Sequence, residues 1–316
     1  MTHYLVTGGA GFIGSNVVDE LVRRGERVRV LDNFSTGKHE NLAAVRDAVE
    51  LIEGDLRDRS TVRQAVAGVD VVLHLGALPS VPGSIEDPLT NHAVNATGTL
   101  NLLTAANEAG VERLVFSSSC SVYGDSPALP KTESMLPAPK SPYAASKLAG
   151  EHYCHTFAEV FDIETICLRY FNVFGPRQDP TSQYAAVIPN FVTTMLQGDR
   201  PTIYGDGEQS RDFVYVANVV EANLKAANRR AASASPTSGE IFNIGAGQRY
   251  TLLHLVDVLN DILGTAMAPH HTPPRPGDIR HSLADIHAAQ EGLGYEPRVS
   301  FRQGLQETVA WYRDHL

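Results

Sequence analysis

The sequence predicts an α/β fold in which a doubly wound, Rossmann-type parallel sheet is joined to a smaller, loop-rich C-terminal domain. Three observations lead to this prediction: β-rich runs alternate with helical patterns through the first half of the chain, a glycine-rich turn follows the first run, and prolines and glycines become frequent beyond residue 170. Strands that alternate with helices are typical of a parallel sheet covered on both faces.

The β-rich runs predict strands at 4–6, 28–31, 51–53, 69–75, 114–116, 164–168 and 241–244, the last of which could return to the main sheet. Helical spacing of apolar residues predicts helices over 15–24, 97–108, 143–161 and 301–315. The small, polar segment 231–239 predicts a surface loop.

Composition excludes several classes of protein. A net charge of -10 argues against nucleic-acid binding, which needs a basic field. No apolar run approaches the roughly 20 residues that span a bilayer, and the N-terminus lacks the pattern of a signal peptide, so we expect no membrane partner and a cytoplasmic location. The widely spaced Cys120, Cys154 and Cys167 form neither a disulfide framework nor a zinc pattern, so we expect no metal.

The glycine-rich turn has the pattern Gly9-x-Gly11-x-x-Gly14 between a predicted strand and a predicted helix. Such a turn lets a diphosphate approach the N–H groups at the start of the helix. Asp32, at the end of the next predicted strand, would bind a ribose hydroxyl and repel a 2′-phosphate, which favours NAD over NADP. A tight turn without a ligand is the alternative. Asp55, after the third strand, could contact the adenine or merely cap a helix.

Tyr143 and Lys147 are four residues apart at a helix start that Pro142 indicates, so they share one face. The lysine ammonium and an oxidised nicotinamide would together lower the pKa of the phenol and make it a base. A surface pair is the alternative for this spacing alone. The hydroxyls of Ser117, Ser118, Ser119 and Ser121 closely follow the fifth predicted strand, where parallel sheets bind ligands, although a polar strand end would look the same.

In these motifs the chain resembles the extended short-chain dehydrogenase/reductases of the nucleotide-sugar epimerase group, and among them the UDP-glucose and UDP-N-acetylglucosamine 4-epimerases. The resemblance covers nearly the whole chain. It rests on the glycine turn, the serine run and the Tyr-x-x-x-Lys pair, together with residues 31–34, 54–56, 168–177, 205–213 and 275–278.

The resemblance implies a 4-epimerase of UDP-hexoses that uses NAD and passes through a 4-keto sugar. The implied catalytic residues are Ser119, Tyr143 and Lys147. The implied cofactor-binding residues are Gly8, Gly11, Phe12, Ile13, Gly14, Asp32, Asn33, Ser35, Gly37, Asp55, Leu56, Leu75, Ala77, Asn95, Ser117, Tyr143, Lys147 and Tyr170. The implied substrate-binding residues are Ser119, Ser121, Tyr143, Asn172, Arg211, Arg275 and Ser282, of which the two arginines would hold the diphosphate.

Two positions bear on the reaction and the sugar. Related dehydratases carry Asp-Glu where this chain has Cys120-Ser121, and related decarboxylases carry a glutamate at the second position, so both activities are excluded for want of an acid. Ser282 stands where a tyrosine would narrow the sugar pocket in relatives, so an N-acetyl group should also fit. A UDP-uronic acid 4-epimerase, a C2 epimerase, a reductase and a non-catalytic NAD-binding protein are the alternatives.

The resemblance also predicts the organisation of the chain. Residues 1–172 and about 213–245 would form the NAD-binding domain, and about 173–212 and 246–316 the nucleotide-sugar domain. The helices around 97–109 and 143–161 resemble those that form a homodimer in this group, so we expect a homodimer that binds a UDP-sugar.

Overall fold

A computed structural model describes residues 1–180, 186–229, 239–274 and 279–316 of the chain. The strands are β1 (His3–Thr7), β2 (Arg27–Asp32), β3 (Val49–Glu53), β4 (Val71–His74), β5 (Arg113–Ser119), β6 (Glu164–Tyr170), β7 (Asn172–Phe174), β8 (Thr202–Tyr204), β9 (Ser210–Arg211), β10 (Phe213–Tyr215), β11 (Glu240–Ile244), β12 (Tyr250–Thr251) and β13 (His270–Thr272). The helices are α1 (Phe12–Arg23), α2 (Arg59–Val66), α3 (Val81–Glu86), α4 (Pro88–His92), α5 (Gly98–Glu108), α6 (Pro142–Val160), α7 (Val187–Leu196), α8 (Val216–Ala227), α9 (Leu252–Leu263), α10 (His287–Leu293) and α11 (Phe301–His315).

Seven of these strands form one parallel sheet in the order β11-β6-β5-β4-β1-β2-β3. The predicted strands are confirmed, including the return of 241–244, which pairs with β6 as part of β11. The order reverses between β1 and β4, and at such a point the loops that follow the two strands separate and leave a crevice. The sheet therefore provides a ligand site at the carboxyl ends of its central strands.

Helices cover both faces of the sheet, as its doubly wound prediction requires. Val6 and Val30 pack with α1, α8 and α10 on one face. Leu5 and Val72 pack with α2, α5 and α6 on the other. Neighbouring residues such as Leu5 and Val6 face opposite sides because strand side chains alternate.

A third apolar cluster lies outside the sheet, where α7, α9 and α11 pack around Phe174, Phe213 and Tyr215. Three two-stranded pairs, β7 with β10, β9 with β12 and β8 with β13, belong to this loop-rich part. The division into two domains stays a prediction. Of the segment 213–245, which is predicted to belong to the NAD-binding domain, α8 packs on the main sheet, whereas β10 pairs with β7 outside the main sheet.

Two details differ from the sequence prediction. The serines 117–119 form the last three residues of β5 instead of following it, because β6 keeps pairing with them as far as Tyr170. The first helix begins at Phe12 instead of residue 15, since Gly11 already has the extended backbone of an N-cap. The predicted loop at 231–239 falls, apart from Gly239, outside the described residues. No helix in the described ranges is long and apolar enough to cross a membrane.

Candidate active site

A cavity of about 780 Å³ opens at the carboxyl ends of the central strands, where the strand order reverses. Its wall contains residues from the loops after β1, β2, β3 and β4, from the end of β5 and from the start of α6. Every residue predicted to contact the cofactor lines this cavity except Asn95. Its volume is within the range of cofactor and ligand sites.

The glycine turn is shaped so that a side chain would block it. A Cβ on Gly14 would lie 2.0 Å from the carbonyl oxygen of Gly8, and Gly8 itself has a φ of +66°. The following helix has Gly11 as its N-cap, with no side chain to cap it, so its first turn of N–H groups faces the cavity. Uncapped N–H groups and the helix dipole favour an anion here, so the turn fits a diphosphate.

Two carboxylates stand at the end of the cavity beyond the glycine turn. Asp32 accepts hydrogen bonds from the backbone N–H groups of Ala10 and Phe34, both at 2.9 Å, which fixes its carboxylate at the wall. Asp55 accepts from Asn33 at 2.8 Å and from the Arg57 side chain, whose hydrogen bond holds the pKa of Asp55 well below its usual range. The N-cap of α2 is Asp58, so Asp55 is free of that role and lines the cavity.

Tyr143 lies in the first turn of α6 and lines the cavity. The Ser141 hydroxyl caps the helix by accepting from Ala144 N–H at 3.1 Å, and Pro142 occupies the first helical position as predicted. The Tyr143 N–H donates to the Ser84 hydroxyl at 3.1 Å, and the Tyr143 phenol is hydrogen-bonded to Ser119 at the end of β5. The start of α6 and the end of β5 are thus in contact through the Tyr143 phenol.

Lys147 lies one turn further along the same face of α6. Its Nζ donates to the carbonyl oxygen of Ser117 at 2.8 Å and lies 6.0 Å from the ring centroid of Tyr143. Burial lowers the pKa of Lys147 to about 8. The three residues predicted to be catalytic therefore share one end of the cavity.

The pKa of the phenol differs from the sequence expectation. Burial raises the pKa of Tyr143 to about 12, and the Ser119 hydrogen bond offsets only part of that rise. The Lys147 ammonium, which donates to the Ser117 carbonyl, is not among the groups that lower the pKa of Tyr143. The predicted lowering of the phenol pKa by the lysine is therefore not seen among the described residues. The charge of an oxidised nicotinamide would act in the predicted direction.

Asn95 is buried behind the cavity wall and does not line it. Its Oδ1 accepts from Leu78 N–H at 2.8 Å, and its Nδ2 donates to the Leu78 carbonyl and the Ser146 hydroxyl. This amide fixes the loop after β4, whose residues 75–80 do line the cavity. Asn95 thus supports the wall, and direct contact with a cofactor stays a prediction.

The residues predicted to bind the substrate form two groups. Ser119 and Tyr143 line the cavity. Asn172, Arg211 and Ser282 meet elsewhere, at residues 210–212: Asn172 N–H donates to the Asp212 carbonyl at 3.1 Å, and Ser282 N–H to the Ser210 carbonyl at 3.0 Å. Arg275 lies outside the described residues.

Two serine hydroxyls are buried without a partner. The Oγ atoms of Ser121 and Ser282 make no hydrogen bond within the described residues. A buried hydroxyl without a partner is unfavourable, and a polar ligand that reached these atoms would relieve that cost. Both residues were predicted to contact the substrate.

Sequence reasoning missed several parts of the wall, among them a stretch after β7. Arg177, Gln178 and Asp179 line the cavity, and Lys38 faces Asp179 at 3.7 Å from the opposite side. Arg177 has a φ of +70°, unusual for a residue with a side chain, and pairs with Asp19 of α1. The motif 168–177 contributed to the resemblance, but nothing in its spacing signalled that its end would return to α1.

No group of three or more metal-ligating side chains occurs within the described ranges. The chemically distinctive features of the cavity are its glycine turn, its carboxylates and its tyrosine–lysine pair. Fold and cavity together define an α/β protein of the dinucleotide-binding class, with a tyrosine–lysine pair at one end of the cavity.

Comparison with known proteins gives the family. Residues 4–245 match the family model described as "NAD dependent epimerase/dehydratase family". The chain belongs to this family of nucleotide-sugar enzymes, and the predicted cofactor, NAD, is confirmed at that level.

Individual relatives cover almost the whole chain. It is 39% identical to a UDP-glucose 4-epimerase of Mycolicibacterium smegmatis over 98% of each chain. It superimposes with a TM-score of 0.94 and 40% identity on a UDP-N-acetylglucosamine 4-epimerase of Methanobrevibacter ruminantium M1 in complex with UDP-N-acetylmuramic acid, covering 100% and 99% of the two chains. A UDP-glucose 4-epimerase of Thermus thermophilus in complex with NAD matches with a TM-score of 0.87 and 38% identity over 100% of both chains.

Proposed function

We propose that this protein is an NAD-dependent 4-epimerase of UDP-hexoses that interconverts UDP-glucose and UDP-galactose and also accepts the N-acetylhexosamine pair. The main support for this proposal is that Ser119, Tyr143 and Lys147 lie in the same cavity as the glycine turn. The Methanobrevibacter and Mycolicibacterium epimerases support both kinds of sugar.

In this proposal the protein's residues move one proton and hold the sugar. Ionised Tyr143 takes the proton of the sugar 4-hydroxyl, while the Ser119 hydroxyl hydrogen-bonds the same oxygen. NAD, when bound, would supply a reversible acceptor for the hydride of C4, and the return of that hydride to the opposite face would invert this carbon. Tyr143 then gives its proton back to the 4-oxygen, so no atoms or electrons are gained or lost overall.

The cofactor would be held by the glycine turn and by Asp32. The first-turn N–H groups of α1 suit its diphosphate, and the Asp32 carboxylate suits a ribose hydroxyl. The nucleotide-sugar diphosphate would be bound by Arg211 and Arg275, with Asn172, Ser121 and Ser282 toward the sugar. The unpartnered hydroxyls of Ser121 and Ser282 favour a polar group at that place.

Identity to relatives does not by itself select epimerisation. A UDP-N-acetyl-alpha-D-glucosaminuronate decarboxylase of Bacillus cytotoxicus is 33% identical, and a dTDP-glucose 4,6-dehydratase of Streptomyces niveus is 36% identical. What favours an epimerase is the pair Cys120-Ser121. Burial raises the pKa of the Cys120 thiol to about 12, which makes it a poor substitute for a carboxylic acid.

The test is NMR of the sugar, which distinguishes epimers of equal mass, together with mass spectrometry of sugar and cofactor, after incubation with UDP-glucose, UDP-N-acetylglucosamine and UDP-glucuronic acid without added reductant. We expect epimerised products of unchanged mass and NAD retained in the protein. Tyr143→Phe should lower the rate by about three orders of magnitude or more, because it removes the base, while NAD stays bound. Wild-type turnover in that variant would overturn the mechanism.

The same incubations separate the alternatives. Consumption of external NADH would indicate a reductase, and turnover of UDP-glucuronic acid alone would indicate a uronic acid epimerase. Inversion at C2 would be visible by NMR of the product. Bound NAD without turnover of any sugar would indicate a non-catalytic protein.

We further propose a cytoplasmic homodimer that pairs through α5 and α6. The exposed apolar residues Val160 and Phe161, at the end of α6, support such a contact. Light scattering should give a mass near twice 34.2 kDa.

A further inference from the structure

A buried ion pair lies beneath the reactive end of the cavity. Glu151 and Arg169 are each about 2% exposed, and the guanidinium meets the carboxylate with both arms, Nε to Oε1 at 2.8 Å and Nη2 to Oε2 at 2.7 Å. Neither residue has a role in the proposed reaction. Burying two charges is costly even when they are paired, so the pair stands out from an apolar core.

The Glu151 carboxylate joins α6 and β5, which carry the reactive groups, to the neighbouring strand β6. Glu151 lies on α6, four residues after Lys147, and its Oε1 also accepts from the Ser118 hydroxyl of β5. Arg169 lies on β6 in direct register with Ser118. One side chain therefore ties α6 to both strands at the level of the active site.

Ser118 stands between the two residues that contact the catalytic pair. The carbonyl of Ser117 accepts from Lys147, and the hydroxyl of Ser119 meets the Tyr143 phenol. A shift of Ser118 relative to α6 would change both contacts together. Arg169 is itself immobilised, since its guanidinium lies 4.7 Å from the Tyr123 ring centroid and Tyr123 donates to Asn243 at 2.6 Å.

Glu151 is also the carboxylate whose charge acts on Lys147 against the effect of burial. The other groups that face the lysine come from three elements: Tyr143 and Cys154 from α6, the Ser117 carbonyl and the Phe116 ring from β5, and His74 from β4. Burial lowers the pKa of His74 to about 3, so its imidazole is neutral at pH 7.

We infer that Glu151 is a positioning residue that holds the Tyr143–Lys147 face of α6 in register with the serines of β5, through Ser118 and Arg169, and keeps a negative charge beside the Lys147 ammonium. This role rests on the proposed function for its effect on turnover. Its effect on the lysine can be measured without any sugar.

The test is Glu151→Gln, with Glu164→Gln as the matched control. Glu164 pairs with Arg113 at the first residues of β5 and β6, which is the end of these two strands away from Ser118 and Arg169. Glu151→Gln should lower kcat roughly 10- to 100-fold through misplacement of the reactive groups, with little change in KM or bound NAD. Glu164→Gln should leave kcat and KM as in the wild type.

The effect of the Glu151 charge on Lys147 is measured by an NMR titration of ¹³Cε-labelled lysine, which gives the pKa of the Lys147 ammonium. The chain has five lysines, Lys38, Lys131, Lys140, Lys147 and Lys225, so Lys147→Arg suffices to assign the resonance. The pKa of Lys147 should fall below its wild-type value of about 8 in Glu151→Gln and stay unchanged in Glu164→Gln. The alkaline limb of the kcat profile should move to lower pH in step.

If Glu151→Gln fails to fold, Ser118→Ala provides the second test, because it leaves the ion pair intact and removes only its link to β5. We expect a several-fold loss of kcat with the Lys147 pKa unchanged. An unchanged Lys147 pKa in folded Glu151→Gln would overturn the inference, as would wild-type kcat in Ser118→Ala. A wild type without turnover would refute the proposed function, and the lysine titration would still decide the role of Glu151.

Discussion

At the residue scale, the chemistry depends on the ionisation of Tyr143. Its neighbours in the protein leave the pKa of the phenol near 12, far too high for a base at pH 7. Burial is nevertheless useful, because in a medium of low polarity a nearby positive charge acts more strongly on the phenolate. An oxidised nicotinamide would supply that charge, so the base would form only when the cofactor is present in its oxidised state.

This dependence can be measured. The phenolate absorbance near 295 nm, taken as the difference between wild type and Tyr143→Phe, should report a pKa near 12 for the protein freed of cofactor. Saturating NAD should lower this pKa because the positive ring stabilises the phenolate, whereas NADH should lower it less. By linkage, NAD should bind more tightly as pH rises between the two pKa values. Equal titrations with NAD and NADH would contradict this assignment.

At the element scale, the start of α6 decides where the phenol lies. Ser141 caps this helix, and Tyr143 follows two residues later, so the cap sets the direction in which the phenol enters the cavity. Ser300 caps α11 in the same manner, by accepting from Gln303 N–H at 3.3 Å, outside the cavity wall. The chain therefore offers two equivalent caps, one beside the site and one away from it.

Removing each cap separates stability from function. Ser141→Ala and Ser300→Ala should each reduce the free energy of unfolding by about 1 kcal/mol, since each leaves a first-turn N–H without its acceptor. Only Ser141→Ala should also lower kcat, because only that helix carries Tyr143. Thermal unfolding and steady-state kinetics on both variants provide the check, and equal losses of kcat would show that the cap acts through stability alone.

At the scale of the whole molecule, one carboxylate joins distant segments around the predicted substrate residues. Asp212 is fully buried, and its oxygens accept from Ala246 N–H at 2.7 Å, Gly247 N–H at 3.1 Å and Ala284 N–H at 3.1 Å. Burial raises the pKa of Asp212 to about 6 despite these hydrogen bonds. The positions of Arg211 and Ser282 therefore depend on this one side chain.

Asp212→Asn should weaken this junction, because an amide presents one acceptor oxygen to three donors. We expect a loss of about 1–3 kcal/mol in the free energy of unfolding and a higher KM for the nucleotide sugar. The folded state holds the Asp212 proton more tightly than the unfolded chain, so ionisation between about pH 4 and 6 lowers wild-type stability as pH rises. Unfolding midpoints across this range should show that component in the wild type and not in the variant.

The sheet, its covering helices, the glycine turn and the tyrosine–lysine face could all be predicted from the amino-acid sequence. These features are written locally: strands and helices follow from the spacing of apolar residues, the turn from glycines that permit close approach, and the catalytic face from a separation of four residues on a helix. The family resemblance added the positions of Ser119 and Ser282, which local patterns do not mark.

How these groups act on one another depends on the packing of the folded chain. The raised pKa of Tyr143 comes from burial, the place of Asn95 behind the wall from its hydrogen bonds to Leu78, and the return of Arg177 to α1 from a crossing of distant segments. The Glu151–Arg169 pair likewise joins two elements that no spacing in the sequence connects. Desolvation and contact between distant segments depend on the complete packing, so they are absent from any local pattern of residues.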